Sequence, residues 1–315
     1  MKKNILITGG TGFIGSSITK LLAEDVNNKI RVFDNNSRGS LEKLGDTIKN
    51  IKFIRGDICD YKKVLKASKD CKIVIHLAYI NGTEYFYKYP TKILEVAIKG
   101  LMNVVEACIK NKITELYLAS SSEVYHQPSS IPTKEDVILK IPDIYNPRYS
   151  YAGGKILTEL VGINYGKKFF KKLIIFRPHN VYGPNMGNEH VIPQFINRMS
   201  KLNKKKNFFI KGTGKEIRSF IYIDDFAQAF YKIFKKGKHL EIYNIGTERK
   251  INILQLSKKI SKIMKKNIVI SKRKLAAGGT LIRCPDISKI KKLGFVPKFS
   301  LEEGLSKTIK NYLNK

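Results

Sequence analysis

NILITGGTGFIG, residues 4–15, is the stretch on which the fold turns. An apolar β-type run, Asn4 to Thr8, enters a glycine turn, and the chain then takes a helical pattern over Phe13–Ala23. Glycines at Gly9, Gly12 and Gly15 permit a tight turn, close approach of the backbone to a pyrophosphate, and packing of the helix on its strand. The helix start at Phe13 and Ile14 turns its free amides towards the phosphates. Asp34 closes the next apolar run about 20 residues on, where a carboxylate grips the hydroxyls of an adenosine ribose. An acidic group there repels a 2′-phosphate and favours NAD over NADP, and Arg38 works slightly against that choice.

Outward from this unit, short apolar runs alternate with amphipathic segments, the pattern of a doubly wound parallel sheet of Rossmann type flanked by helices. The expected strands are Asn4–Thr8, Ile30–Asp34, Lys52–Arg55, Ile73–Leu77, Glu115–Ser120 and Leu173–Arg177. The expected helices include Phe13–Ala23, Thr91–Lys110 and Ser150–Lys168, the second with Ile93, Leu94, Ala97, Leu101 and Val104 at helical spacing. Residues that follow strand ends are further candidates for the cofactor: Asn35, Ser37 and Arg38, then Asp57 and Ile58, then Leu77 and Ala78. After Pro178 the pattern breaks into segments punctuated by Gly, Pro and Asn, and Phe220–Phe234 looks like a return to the sheet and a helix. The expected division is a cofactor domain of residues 1–180 plus about 219–247, and a smaller discontinuous substrate domain of about 181–218 and 248–315.

Composition bounds the rest. With 315 residues, 43% of them hydrophobic, the chain can bury a substantial core. The apolar run after Met1-Lys2-Lys3 is far shorter than a signal-peptide core, and no stretch approaches the roughly 18 to 20 apolar residues that cross a bilayer, so a soluble cytoplasmic protein is expected. Cys59, Cys71, Cys108 and Cys284 are scattered and read as reduced thiols; the histidines show no paired spacing, and no metal site is expected. The balance of 59 Lys and Arg against 26 Asp and Glu gives +33. The lysines are spread over many turns and helical faces, as at Lys204–Lys206 and Lys258-Lys259, and no recognition motif accompanies them. Neither a nucleic-acid nor a membrane partner is expected, although a positive field helps capture a diphosphate.

Tyr151-Ala152-Gly153-Gly154-Lys155 begins a helix, which sets the phenol and the amine four residues apart on one face. A tyrosine that acts as a base near neutrality needs its pKa lowered by about 3 units, and a nearby ammonium together with a nicotinamide cation favours the phenolate.

Three further segments accompany that pair: Ser120-Ser121-Ser122-Glu123-Val124-Tyr125, Arg177-Pro178-His179-Asn180-Val181-Tyr182-Gly183-Pro184, and Arg218 through Asp225. With Arg283-Cys284-Pro285-Asp286, the whole chain resembles the extended short-chain dehydrogenase/reductase family, and within it the NAD-dependent nucleotide-sugar epimerases, dehydratases and decarboxylases. The resemblance implies that Tyr151 takes a proton from a sugar hydroxyl, usually at C4, as hydride leaves for NAD⁺. It implies that Lys155 holds the nicotinamide ribose and lowers the phenol's pKa, and that Ser121 hydrogen-bonds the same sugar oxygen. Asn180, Arg218 and Arg283 fall where the family binds the nucleotide diphosphate, most often that of a UDP-sugar. A homodimer through Thr91–Lys110 and Ser150–Lys168 is implied as well.

Glu123 is the position that separates the branches. Ser122-Glu123 is similar to the Thr-Ser-Glu segment of the decarboxylases, Arg283 to their Arg-x-Pro-Asp segment, and Tyr87 lies in a stretch similar to their aromatic loop. Decarboxylase or dehydratase chemistry is therefore preferred to 4-epimerisation of a UDP-hexose, with Ser121, Ser122, Glu123 and Arg283 joining the catalytic set. A redox sensor without catalysis is the distant alternative. Two departures from the family, His126 for a glycine and Tyr79 for an alanine, are expected to alter the pocket walls.

Overall fold

The computed structural model describes residues 3–202, 207–210, 212–272 and 279–314; Lys204–Lys206 lie outside them. Six strands follow the expected runs: β1 (Lys3–Thr8), β2 (Asn28–Asp34), β3 (Ile51–Arg55), β4 (Ile73–His76), β5 (Glu115–Ala119) and β6 (Lys172–Pro178). With Glu241–Ile245 they form one seven-stranded sheet, and every pairing in it is parallel. Its order is Glu241–Ile245, β6, β5, β4, β1, β2, β3. The connections therefore reverse direction between β1 and β4, and a crevice opens beyond the carboxyl ends of those two strands.

Side-chain alternation divides the core in two. Ile5, Ile7, Val32 and Ile75 face the helices Phe13–Ala23 and Ile223–Lys236, where they meet Ile18, Leu22, Phe226 and Phe230. Leu6, Phe33 and Val74 face the opposite layer, with Val64, Leu101, Val104 and Cys108. Parallel strands covered on both faces bury nearly every side chain, which is why their sequences read as continuous apolar runs.

The expected helix Thr91–Lys110 is interrupted: Pro90–Glu95 passes through a π turn at Val96–Gly100 into Leu101–Lys110. Gly100 lies at that turn, and a Cβ there would come within 2.6 Å of Ile58 Cδ1. The expected return to the sheet at Phe220–Phe234 is corrected: Ile221–Tyr222 pairs with Val181–Tyr182, and Glu241–Ile245 is the strand that rejoins the main sheet. Ile217–Ser219 lies between Lys250–Asn252 and Ile282–Arg283, so segments far apart in sequence build the wall that carries Arg218 and Arg283. Asp225 accepts hydrogen bonds from the amides of Lys298 and Phe299 at 3.0 and 2.9 Å, which ties this late segment to the helix behind the sheet. Among the described residues no helix is long and apolar enough to cross a membrane.

Candidate active site

A cleft of about 620 Å³ runs along the carboxyl ends of the strands. At one end lies the glycine turn. Gly9 has φ +71°, and a Cβ on it would sit 2.6 Å from the Ala78 amide nitrogen. A Cβ on Gly15 would collide with the Gly9 carbonyl. The helix Phe13–Ala23 starts from Gly12 with no side-chain cap, so bare backbone with outward amides forms a cradle fitted to a pyrophosphate. Asp34 is tied at both oxygens, accepting from Thr11 N at 3.0 Å and from Asn36 N at 2.9 Å, and it lines the cleft. Its remaining lone pairs suit ribose hydroxyls. Asn35 donates to Asp57 at 2.9 Å and accepts from Ser37 N at 3.0 Å, so the loops after β2 and β3 form one wall. Ile58, Leu77 and Ala78 complete it, and the amides of Leu77 and Ala78 both point at Thr8 Oγ1. The donor set fits a dinucleotide.

Arg38 lines the cleft but lies across it: it ion-pairs with Glu189, donates to the Asn81 carbonyl and sits over the Tyr85 ring. In that position it does not turn towards a 2′-phosphate beside Asp34.

Tyr151 lies at the middle of the cleft, 4% exposed, with Phe86 stacked 4.6 Å from its ring. Burial pushes the phenol up to about 12, against a hydrogen bond from Ser121 and the charges of Arg38 and Arg283, while Glu123 adds to the rise. Lys155 does not reach the phenol oxygen. Its Nζ donates to the Ala119 carbonyl at 2.7 Å and lies 3.7 Å from the Tyr79 ring centroid, and burial takes it down to about 7.

At the far end Arg283 grips Glu123 through both oxygens, at 2.8 and 3.1 Å, and Arg148 approaches the same carboxylate at 3.4 Å. Burial works against its ionisation, but the Arg283 and Arg148 charges prevail and hold Glu123 down to about 2. Ser121 accepts from the Glu123 amide at 3.2 Å, and Ser122 starts the short 3₁₀ turn that carries Glu123. Arg218 donates to the carbonyls of Ile217 and Thr280 at 2.8 Å each; burial and the Arg283 charge lower it to about 9. Asn180, with φ +40°, donates to the Ser219 carbonyl at 3.0 Å.

The cleft thus gathers every residue expected from the sequence except Tyr87, which lies outside its lining, 44% exposed and hydrogen-bonded to Arg148. His126 also stands apart from the cleft: it adopts φ +47° and its Nε2 pairs with Tyr149 Oη at 2.5 Å. Arg148 and Glu189 were not singled out in the sequence, since their partners lie in remote segments. Arg148 stands three residues before Tyr151, and that spacing is the one signal that pointed to it.

Fold and cleft define an enzyme built around a dinucleotide cradle, with a buried tyrosine and lysine beside a wall of arginines. The chain belongs to the NAD dependent epimerase/dehydratase family, which it matches over residues 5–246. The dTDP-D-glucose 4,6-dehydratase of Bos taurus is 33% identical over 324 residues, covering 98% of this chain and 88% of that one. The Dictyostelium discoideum enzyme of the same name is 36% identical over 273 residues; the match spans 83% of this chain and 62%, less than two thirds, of that protein. A UDP-N-acetyl-alpha-D-glucosaminuronate decarboxylase of Bacillus cytotoxicus is 30% identical over 98% of this chain and 97% of its own length. Among solved structures, a UDP-N-acetylglucosamine 4-epimerase from Methanobrevibacter ruminantium M1, in complex with UDP-N-acetylmuramic acid, superposes with a TM-score of 0.89 at 28% identity, covering 100% of this chain and 99% of that one. The motifs had pointed to this family of NAD-dependent nucleotide-sugar enzymes, and to the Rossmann-type sheet.

Proposed function

We propose that the chain decarboxylates a nucleotide-linked uronic acid. Gly9, Gly12, Gly15 and Asp34 would hold NAD, which when bound would supply reversible hydride acceptance at C4 of the sugar. Tyr151 accepts the proton of the C4 hydroxyl, Ser121 holds that oxygen, and Lys155 serves the nicotinamide ribose. Asn180 and Arg218 hold the diphosphate. Ser122 lies in the same turn, beside Glu123, whose amide Ser121 holds at 3.2 Å.

The clamp on Glu123 carries the choice of branch. Dehydration needs an acid to protonate the departing C6 hydroxyl. Among the described residues the carboxylates lining the cleft are Asp34, Asp57, Glu123 and Glu189. The first two belong to the cofactor wall, Glu189 is paired with Arg38, and Glu123 is held ionised. Loss of CO₂ from a 4-keto-6-carboxylate needs no such acid. Dehydration is the second reading, supported by the names of the relatives at 33% and 36% identity.

The test is incubation with NAD⁺ and, separately, UDP-glucuronate, UDP-glucose, UDP-galactose, GDP-mannose and dTDP-glucose. Release of CO₂ from the uronate alone supports the proposal. Loss of water from a neutral hexose overturns it in favour of the second reading, and a product of unchanged mass in favour of epimerisation.

We also infer a homodimer through Pro90–Lys110 and Tyr149–Phe169, supported by Leu94, Ile98 and Leu160, which stand 39%, 50% and 57% exposed on these helices. Four free cysteines, none of them paired, support a cytoplasmic site of action.

A further inference from the structure

Lys155 has a seat built from a residue that the reaction scheme leaves unused. Its ammonium is buried, bonded to a single backbone carbonyl, that of Ala119, and covered by the face of the Tyr79 ring. The same ring stands edge-on to Tyr151, with centroids 5.3 Å and planes 88° apart. It fits there because Gly154 has no side chain: a Cβ would collide with the Tyr79 hydroxyl and approach Ala97 Cβ to 2.6 Å. That hydroxyl is buried without a hydrogen-bond partner, so the oxygen does not explain why a tyrosine occupies this position. The ring face does. A buried cation without a carboxylate of its own is stabilised by the negative face of an aromatic ring, and more strongly once water is excluded.

We propose that Tyr79 is a positioning residue that acts through Lys155: its ring seats the buried ammonium beside the dinucleotide cradle, in room that Gly154 leaves open. This rests on the role given to Lys155 above. The other titratable and charged groups that face the ammonium do not replace the ring. Glu159, one turn on along the helix, is committed to Arg177 at 2.6 Å. His76 on β4 is buried and held down to about 3, hence neutral, and Tyr151 is held up at about 12, hence neutral too. Tyr79 itself stays protonated, because burial and Tyr151 hold it well above its ordinary value. Burial takes Lys155 to about 7, against the pull of the Glu159 charge, so a ring face 3.7 Å from the ammonium bears on its charge near neutral pH.

The test compares Tyr79→Phe, Tyr79→Leu and Gly154→Ala with the unaltered chain, with no sugar present. Competitive acetylation of Lys155, mapped by mass spectrometry across pH, reports its protonation without the cofactor; NAD⁺ titration across pH reports its use. Tyr79→Phe keeps both profiles. Tyr79→Leu moves the acetylation midpoint down by about one unit and weakens NAD⁺ binding about tenfold on the basic side. Gly154→Ala crowds the ring and gives a shift in the same direction. An unchanged acetylation midpoint in Tyr79→Leu overturns the proposal, as does a Phe variant that behaves like Leu. If these shifts appear while no nucleotide-sugar reacts, the functional reading fails and the seat stands.

Discussion

Replacing Arg283 with Met removes the two bonds that hold the Glu123 carboxylate, at 2.8 and 3.1 Å, and leaves only Arg148 at 3.4 Å. In the intact pair the carboxyl lies at about 2 against an ordinary 4.5, and a difference of about 2.5 units corresponds to roughly 3 kcal/mol. Because the folded value is below the unfolded one, this stability is present above about pH 4.5 and is lost as pH falls towards 2. In Arg283→Met the largest opposing charge is gone, so the folded pKa rises from about 2 while Arg148 and Arg218 still lower it. The variant therefore loses most of that roughly 3 kcal/mol at neutral pH and differs less from the unaltered chain as acid protonates the carboxylate. Urea unfolding at fixed protein concentration, near pH 7 and near pH 4.5, measures both effects. The double variant Glu123→Gln, Arg283→Met should regain most of the loss at neutral pH. A single-variant loss below about 1 kcal/mol, or no recovery in the double variant, would refute the argument that a buried charge clamp organises this end of the cleft.

Tyr151→Phe should reduce turnover by about 10²- to 10⁴-fold while NAD⁺ affinity stays within a few-fold, measured by single-turnover kinetics and by titration. Gly9→Ala forces a side chain into φ +71° and against the Ala78 amide, so NAD⁺ binding should fall at least tenfold, with a lower Tm; calorimetry and thermal melts check both. Glu159→Gln leaves Arg177, its partner at 2.6 Å, buried and uncompensated, and should cost about 3 to 5 kcal/mol in denaturant unfolding. Leu160→Glu places a charge on the exposed helix face and should shift the proposed dimer towards monomer by light scattering, with Tyr151 and its neighbours undisturbed.

The sheet was legible because its information is local. Alternating runs, the glycine turn after Thr8 and the helix over Phe13–Ala23 each lie within one short window, and the helix ends match residue for residue. Motif spacing likewise brought Tyr151, Ser121, Glu123, Arg218 and Arg283 to one cleft. What escaped depends on side chains from distant segments. Arg38 meets Glu189 across the cleft, and Lys155 turns to Tyr79 and Ala119 instead of the phenol one turn before it. The helical spacing of Tyr151 and Lys155 fixed the face they share but not where a flexible four-carbon stem ends. The π turn at Val96–Gly100 was hidden because apolar periodicity continues through it.

The carboxylate of Asp225 waits long for its partners, since the amides of Lys298 and Phe299 follow 73 and 74 residues later. During synthesis on the ribosome, β1 to β6 have all emerged before that carboxylate appears. The cofactor half is therefore free to collapse early, while the arginine wall is fastened only after the late segment is delivered.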